Sequence, residues 1–203
     1  MAERPLRKFR WWHGLAFYAG VQLAQLGLRS VAARCRAEKR RGSGTSADDR
    51  ETYREMRLPV FAPPGWAYPV AWSINSVSLI AGGLYVLNLP TETEGRAEFL
   101  RWQAAAWGLF ALFDTAYFEL DSPINAALVT FAYSGATVAS LSAAQGGIED
   151  RMQSRCAALS LATTLAWLVL ANPVAVAQAA WNHDPFWNAG PFVEPPKEWA
   201  KKE

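Results

Sequence analysis

Histidine and cysteine are nearly missing from this chain, with two of each in 203 residues. The cysteines, Cys35 and Cys156, belong to no CxxC pair, and two distant thiols make no disulfide framework. We read them as unpaired thiols near membrane edges. His13 and His183 lie far apart and join no His/Asp/Cys cluster with ligand spacing, so metal and nucleophile chemistry lack their parts. A Gly-rich phosphate loop is also missing. Net charge is only +2, and no stripe of Arg or Lys interleaves with aromatics in an exposed segment, which argues against nucleic acid as a partner. The residues point to no enzyme, no bound metal and no resident cofactor.

Charge is also missing from long stretches. It crowds into residues 1–10, 34–57, 92–101, 149–155 and 194–203. The mean hydropathy of −0.02 therefore averages two populations. A soluble helix needs a polar face toward water. A stretch of about 20 uncharged residues has none, and it matches the length that crosses a bilayer. Aromatics are plentiful instead, with ten Trp, ten Phe and six Tyr, and 51% of the chain is apolar. These features predict an all-α integral membrane protein, a five-transmembrane-helix bundle.

The expected organisation is a basic segment 1–10, a transmembrane domain 11–181 and a tail 182–203. Helices are expected at about 11–33, 66–88, 99–120, 123–144 and 156–181, with a polar loop at 34–57. The basic, acid-poor N-terminus resembles a signal or organelle presequence; we read it as leading into a retained first helix. That helix carries Gln22, Gln25 and Arg29, a polar face for partner helices; lying flat at the interface is the alternative. Pro63-Pro64-Gly65 starts helix 2, because first-turn N–H groups have no internal partner to lose, and Pro90 follows its end. The short turn Glu119–Pro123 makes helices 3 and 4 antiparallel neighbours. Pro173 falls inside helix 5. Helices 2, 4 and 5 are rich in Ala, Gly, Ser and Thr, which lets helices approach closely in lipid. No ring of like charges suggests a pore. Both the N-terminus and the first loop are basic, so the positive-inside rule leaves orientation open. The tail holds Pro185, Pro191, Pro195 and Pro196 among Phe186, Trp187, Phe192 and Trp199, an extended strip suited to lying on another surface.

Two features stand out as candidate sites. Asp114 is an ionisable residue well inside a predicted span, where a carboxyl needs a partner or a proton. Asn75, Tyr117, Asn172 and Gln178 are the candidate partners, and the site is either a polar point in a ligand cavity or an interhelical bond fixing register. The segment Leu58–Trp72 clusters prolines and aromatics ahead of helix 2. It is either an aromatic belt with a helix start or a lid over a flat apolar ligand.

Tyr53, Pro59, Phe61, Pro63, Pro64, Pro69 and Trp72 resemble the signature of the TspO/MBR family, the tryptophan-rich sensory and mitochondrial translocator proteins. Phe113-Asp114-Thr115-Ala116-Tyr117-Phe118 and Leu165-Ala166-Trp167 with Ala171 look like its helix 3 and helix 5 segments. The likeness covers about residues 11–181. It implies a five-helix bundle, often a homodimer, that binds porphyrin, sterol or lipid-like apolar ligands under the first loop. Carried over residue by residue, the ligand-binding candidates are Phe61, Trp66, Tyr68, Trp72, Asp114, Tyr117 and Trp167. The chain departs from the family pattern at Asn75-Ser76, where Leu-Tyr is usual, at Asp114 and Tyr117, which stand for Asn and Trp, and at Thr163-Thr164, which stand for Pro-Tyr. Two functions follow. One is a TspO-like binding protein for an apolar ligand. The other is an accessory subunit of a large organellar membrane complex, for example a respiratory one, held by its tail and N-terminal helix and carrying a degenerate pocket. The basic N-terminus favours the mitochondrial inner membrane, with a bacterial membrane as the alternative.

Overall fold

A computed structural model describes residues 8–39 and 56–200. Residues 1–7, 40–55 and 201–203 lie outside the described residues, and with them most of the expected polar loop, Tyr53 and the extreme ends. The elements are α1 (Trp11–Lys39), α2 (Ala67–Leu87), α3 (Arg96–Asp114) running into a π-helical turn (Thr115–Glu119), α4 (Pro123–Gly147), α5 (Arg151–Leu159) and α6 (Ala162–Trp181). Among the described residues, α2, α4 and α6 are long and apolar enough to cross a membrane.

Local chemistry sets the boundaries. Asn88 ends α2, donating from Nδ2 to the Leu84 carbonyl at 2.8 Å. It also brackets the Phe9 backbone, accepting from its N–H at 2.9 Å and donating to its carbonyl at 2.8 Å, which ties the start of α1 to the end of α2. Gly95 precedes α3 at φ 72°, a left-handed position that a side chain would strain, and its Cα lies against Gly147 at the end of α4. Ser122 caps α4 by accepting from the Asn125 N–H at 3.1 Å, and Pro123 occupies the first turn.

The expected single helix 156–181 is instead two. α5 starts earlier because Asp150 caps it, accepting from the Gln153 N–H at 2.7 Å. It stops at Ser160, whose hydroxyl bonds the Ala157 carbonyl at 2.7 Å while the Leu161 N–H bonds the Ala158 carbonyl at 3.0 Å. These tight local bonds compete with the helical ladder. The break also seats α2: the Ser78 hydroxyl donates to the Ser160 carbonyl at 2.8 Å, and Gly82 lies against the Ser160 side chain.

α3 and α4 form the most extensive helix pair and run antiparallel, with Gly95 beside Gly147 at one end and the short 120–122 link at the other. α6 packs on α4, α1 on α3, and α2 touches α1, α3, α5 and α6. One core at the Gly95 end gathers Val86, Phe99, Trp107, Ala144 and Leu161. A mid-bundle core sets Ala106, Tyr133, Ala136 and Leu168 against Trp72 and Phe110. A third joins Leu58 and Ala62 of the lead-in loop to Val174 at the opposite end. Lipid removes the hydrophobic drive between helices, so close approach supplies the cohesion. Gly82→Ala, whose methyl would collide with Ser160, is expected to destabilise the detergent-solubilised protein by about 1–3 kcal/mol. Gly83→Ala, facing open space, is expected to leave its thermal melt unchanged or raised.

Candidate ligand-binding site

The family-implied residues fall into four places. Phe61 and Trp66 sit on the lead-in loop, 40% and 70% exposed. Trp72 turns inward against Phe110 and Tyr133, with ring centroids 5.1 and 5.5 Å away. Tyr117, buried in the π-helical turn, stacks on Phe113 at 5.8 Å, donates to the Met56 sulfur at 3.1 Å and accepts from Gln178 at 3.0 Å. Asp114 is the last residue of α3, half-buried. Gln178 donates to Tyr117, Asn172 bonds Ser134 at 3.0 Å, and the amide nitrogen of Asn75 is buried without a hydrogen bond.

Tyr68 and Trp167 meet edge to face at 5.3 Å, joining α2 to α6 near the start of α2. The Ser78 and Gly82 contacts with Ser160 join α2 to the break just before α6, near the other end. Between these two clasps the helices part, leaving an open cleft of about 300 Å³ lined by Ala71, Ile74, Asn75, Thr163, Ala166, Trp167 and Leu170. The substitution of Thr163-Thr164 for a bulkier pair and the small Ala71 and Ala166 leave the walls low. Asn75 is 2% exposed and lies between this cleft and the Trp72 core. The cleft is at the low end of the size range for small-molecule sites, with mostly apolar walls and two polar residues, Asn75 and Thr163.

The lead-in loop is clamped beside this site. Asn182 accepts from the Arg57 N–H at 2.8 Å and donates to its carbonyl at 3.1 Å, while the Val60 N–H bonds the Trp199 carbonyl at 2.8 Å. The tail thus folds back on its own chain. Asp184, fully buried, organises it: one oxygen accepts from the Ser122 hydroxyl at 2.7 Å and the Ile124 N–H at 2.9 Å, the other from the N–H groups of Phe186 and Trp187 at 3.0 Å each. A carboxylate is favoured at the N-terminus of α4. The ion pair Arg29–Glu119, at 2.9 Å, ties α1 to the π-helical turn, and Gln25 on the same face is buried. Among the described residues no His, Cys, Asp and Glu cluster could hold a metal ion, and both cysteines are free.

The model of the TspO/MBR family matches residues 32–180. The chain belongs to the TspO/MBR family. A search of curated proteins finds no match. Membership and the apolar helices make this an integral membrane protein. Several features of this TspO/MBR member were not singled out as a site from sequence: the α2–α6 clasps, the buried Asp184 and the Arg29–Glu119 pair. Asn75 had a signal, because it is a polar residue where the family usually carries an apolar one.

Asp184→Ala removes two charge-assisted bonds that hold the tail to α4, each worth about 1.5–3 kcal/mol. Hydrogen exchange at Phe186 and Trp187 is expected to speed by roughly tenfold or more, while exchange in the middle of α3 stays unchanged.

Proposed function

We propose that this TspO/MBR member is a non-enzymatic five-span protein that holds an apolar ligand between α2 and α6. The spans are α1, α2, α3 with its π-helical turn, α4 and α6, with α5 as the lead-in to α6. The polar residues of the less apolar spans have protein partners suited to that setting: Arg29 pairs with Glu119, and Gln103 donates to Ser140 at 2.9 Å. The observation that carries the reading is the cleft itself, apolar-walled, bounded by the Trp167 ring and clasped at both ends. Porphyrin, sterol and acyl-lipid probes should be titrated onto the protein in nanodiscs, comparing wild type with Ala166→Phe, which fills the cleft from an exposed wall position. Saturable binding of at least one probe, weakened at least about tenfold by the substitution, is expected from the loss of a buried apolar contact area. Absence of saturable binding, or binding indifferent to Ala166→Phe, contradicts the reading.

A second reading, an accessory subunit of an organellar membrane complex, is favoured by the tail. Its backbone is fixed, yet Phe186, Trp187, Phe192 and Trp199 are each at least 50% exposed. Rigid exposed aromatics are what interface hot spots use. On that reading, Trp187→Ala with Trp199→Ala shifts the chain from a large native particle to a small one on blue-native gels. Unchanged migration, or a small particle for the wild type, removes it.

A further inference from the structure

Family membership does not cover the tail, because the match ends at residue 180 and the chain stays folded beyond it. Residues 185–193 carry no charge. Four large apolar side chains there, Phe186, Trp187, Phe192 and Val193, are each at least 50% exposed. The backbone that carries them is served from within. The Phe186 and Trp187 N–H groups donate to Asp184, and those of Asp184 and Ala189 donate to each other's carbonyls at 2.8 and 3.2 Å. The Phe192 and Val193 N–H groups donate to the Ala180 carbonyl at 2.8 and 3.1 Å. Pro185 and Pro191 have no N–H to serve. The Trp187 indole N–H donates to Asn125 at 3.0 Å. Water would serve such groups in an aqueous loop, whereas an apolar setting requires partners inside the protein.

Position names the setting. Ser122 and Ile124 hold Asp184, so the strip lies at the level where α4 begins and α6 ends. α4 has 25 residues. It is therefore about 37 Å long against a hydrocarbon core of about 30 Å, which leaves each end about 3–4 Å outside, in the interfacial layer. Trp favours that layer, and Phe and Val favour the hydrocarbon just below it. The rings also continue the lipid-facing rows of two spans. Asn125, the partner of Trp187, is followed on α4 by exposed Leu128 and Phe131. Ala180, the partner of Phe192 and Val193, is preceded on α6 by exposed Val176 and Val169.

We infer that the strip 185–193 is a bilayer anchor, with Phe186, Trp187, Phe192 and Val193 seated in the interfacial layer and reaching into the hydrocarbon of the leaflet where α4 begins. Without charge in the strip, the contact is apolar and indifferent to the headgroup. It goes beyond both readings above and rests on neither. A protein covering the same rings is the competing occupant, and the test separates the two.

The test uses the full chain with Cys35→Ser and Cys156→Ser in phosphatidylcholine nanodiscs, spin-labelled at Phe192→Cys. Collisions of the label are measured with oxygen, which concentrates in hydrocarbon, and with a neutral nickel chelate, which stays in water. Val169→Cys on α6 and Glu198→Cys, both at exposed positions, give the lipid and water references. Oxygen is expected to dominate at Phe192→Cys, with an accessibility ratio close to that of Val169→Cys. A ratio close to that of Glu198→Cys overturns the anchor, because the position then faces water. A label that neither reagent reaches also overturns it, because protein then covers the site. The ratio is expected to stay the same when phosphatidylglycerol is added, and a shift overturns the indifference to headgroup. Where Phe192→Cys fails to fold, the tryptophans of the native chain are read in lipids brominated high on the acyl chain. The emission that Trp187→Phe removes is expected to be quenched, and unquenched emission overturns the anchor.

Discussion

Hydrocarbon offers no hydrogen bond, so each polar group in a spanning segment must find its partner inside the protein. In α4 this constraint is met locally. Thr130, Ser134, Thr137 and Ser140 each bond the carbonyl four residues earlier, at 2.8–2.9 Å. Small hydroxyl residues can therefore line a helix without exposing polarity, and their size lets α3 and α6 approach. Gln103 reaches Ser140 and Asn172 reaches Ser134, so the same hydroxyls also glue neighbouring helices to α4. At the bundle end, Asp184 accepts from the Ile124 N–H and the Ser122 hydroxyl at the start of α4 and fixes the tail in the same act.

Against that pattern the α2–α6 seam is unusual. It closes at both ends, through an aromatic edge-to-face pair and through a glycine seated on a helix break, and it stays open between them. The small residues Ala71 and Ala166 line the opening. Among the described residues, the buried amide nitrogen of Asn75 and the buried hydroxyls of Thr115 and Thr164 have no hydrogen-bond partner, and Asn75 lines that seam.

Much of this was legible in the sequence because bilayer chemistry writes itself as runs. Uncharged stretches located α2, α4 and α6, and prolines 63, 64, 90 and 123 marked their ends. The likeness at Pro59, Phe61, Pro63, Pro64 and Trp72 led to the family. Tertiary relations were not legible. The break between α5 and α6 meets Ser78, 82 residues away, through the Ser160 carbonyl. Trp72 and Trp167 both read as pocket aromatics, yet one turns to the core and the other to the cleft, a difference of helix rotation that α2 and α6, apolar nearly all round, do not encode. Asp184 read only as part of an extended strip because its acceptor role needs the start of α4 beside it.

Native mass spectrometry of the chain, released from its own membrane in mild detergent, tests the central claim most directly. The account predicts a population carrying one apolar small molecule, lost on mild collisional activation and missing from Ala166→Phe. A wild-type spectrum holding only the bare chain or stripped lipids, identical to that of Ala166→Phe, would contradict it.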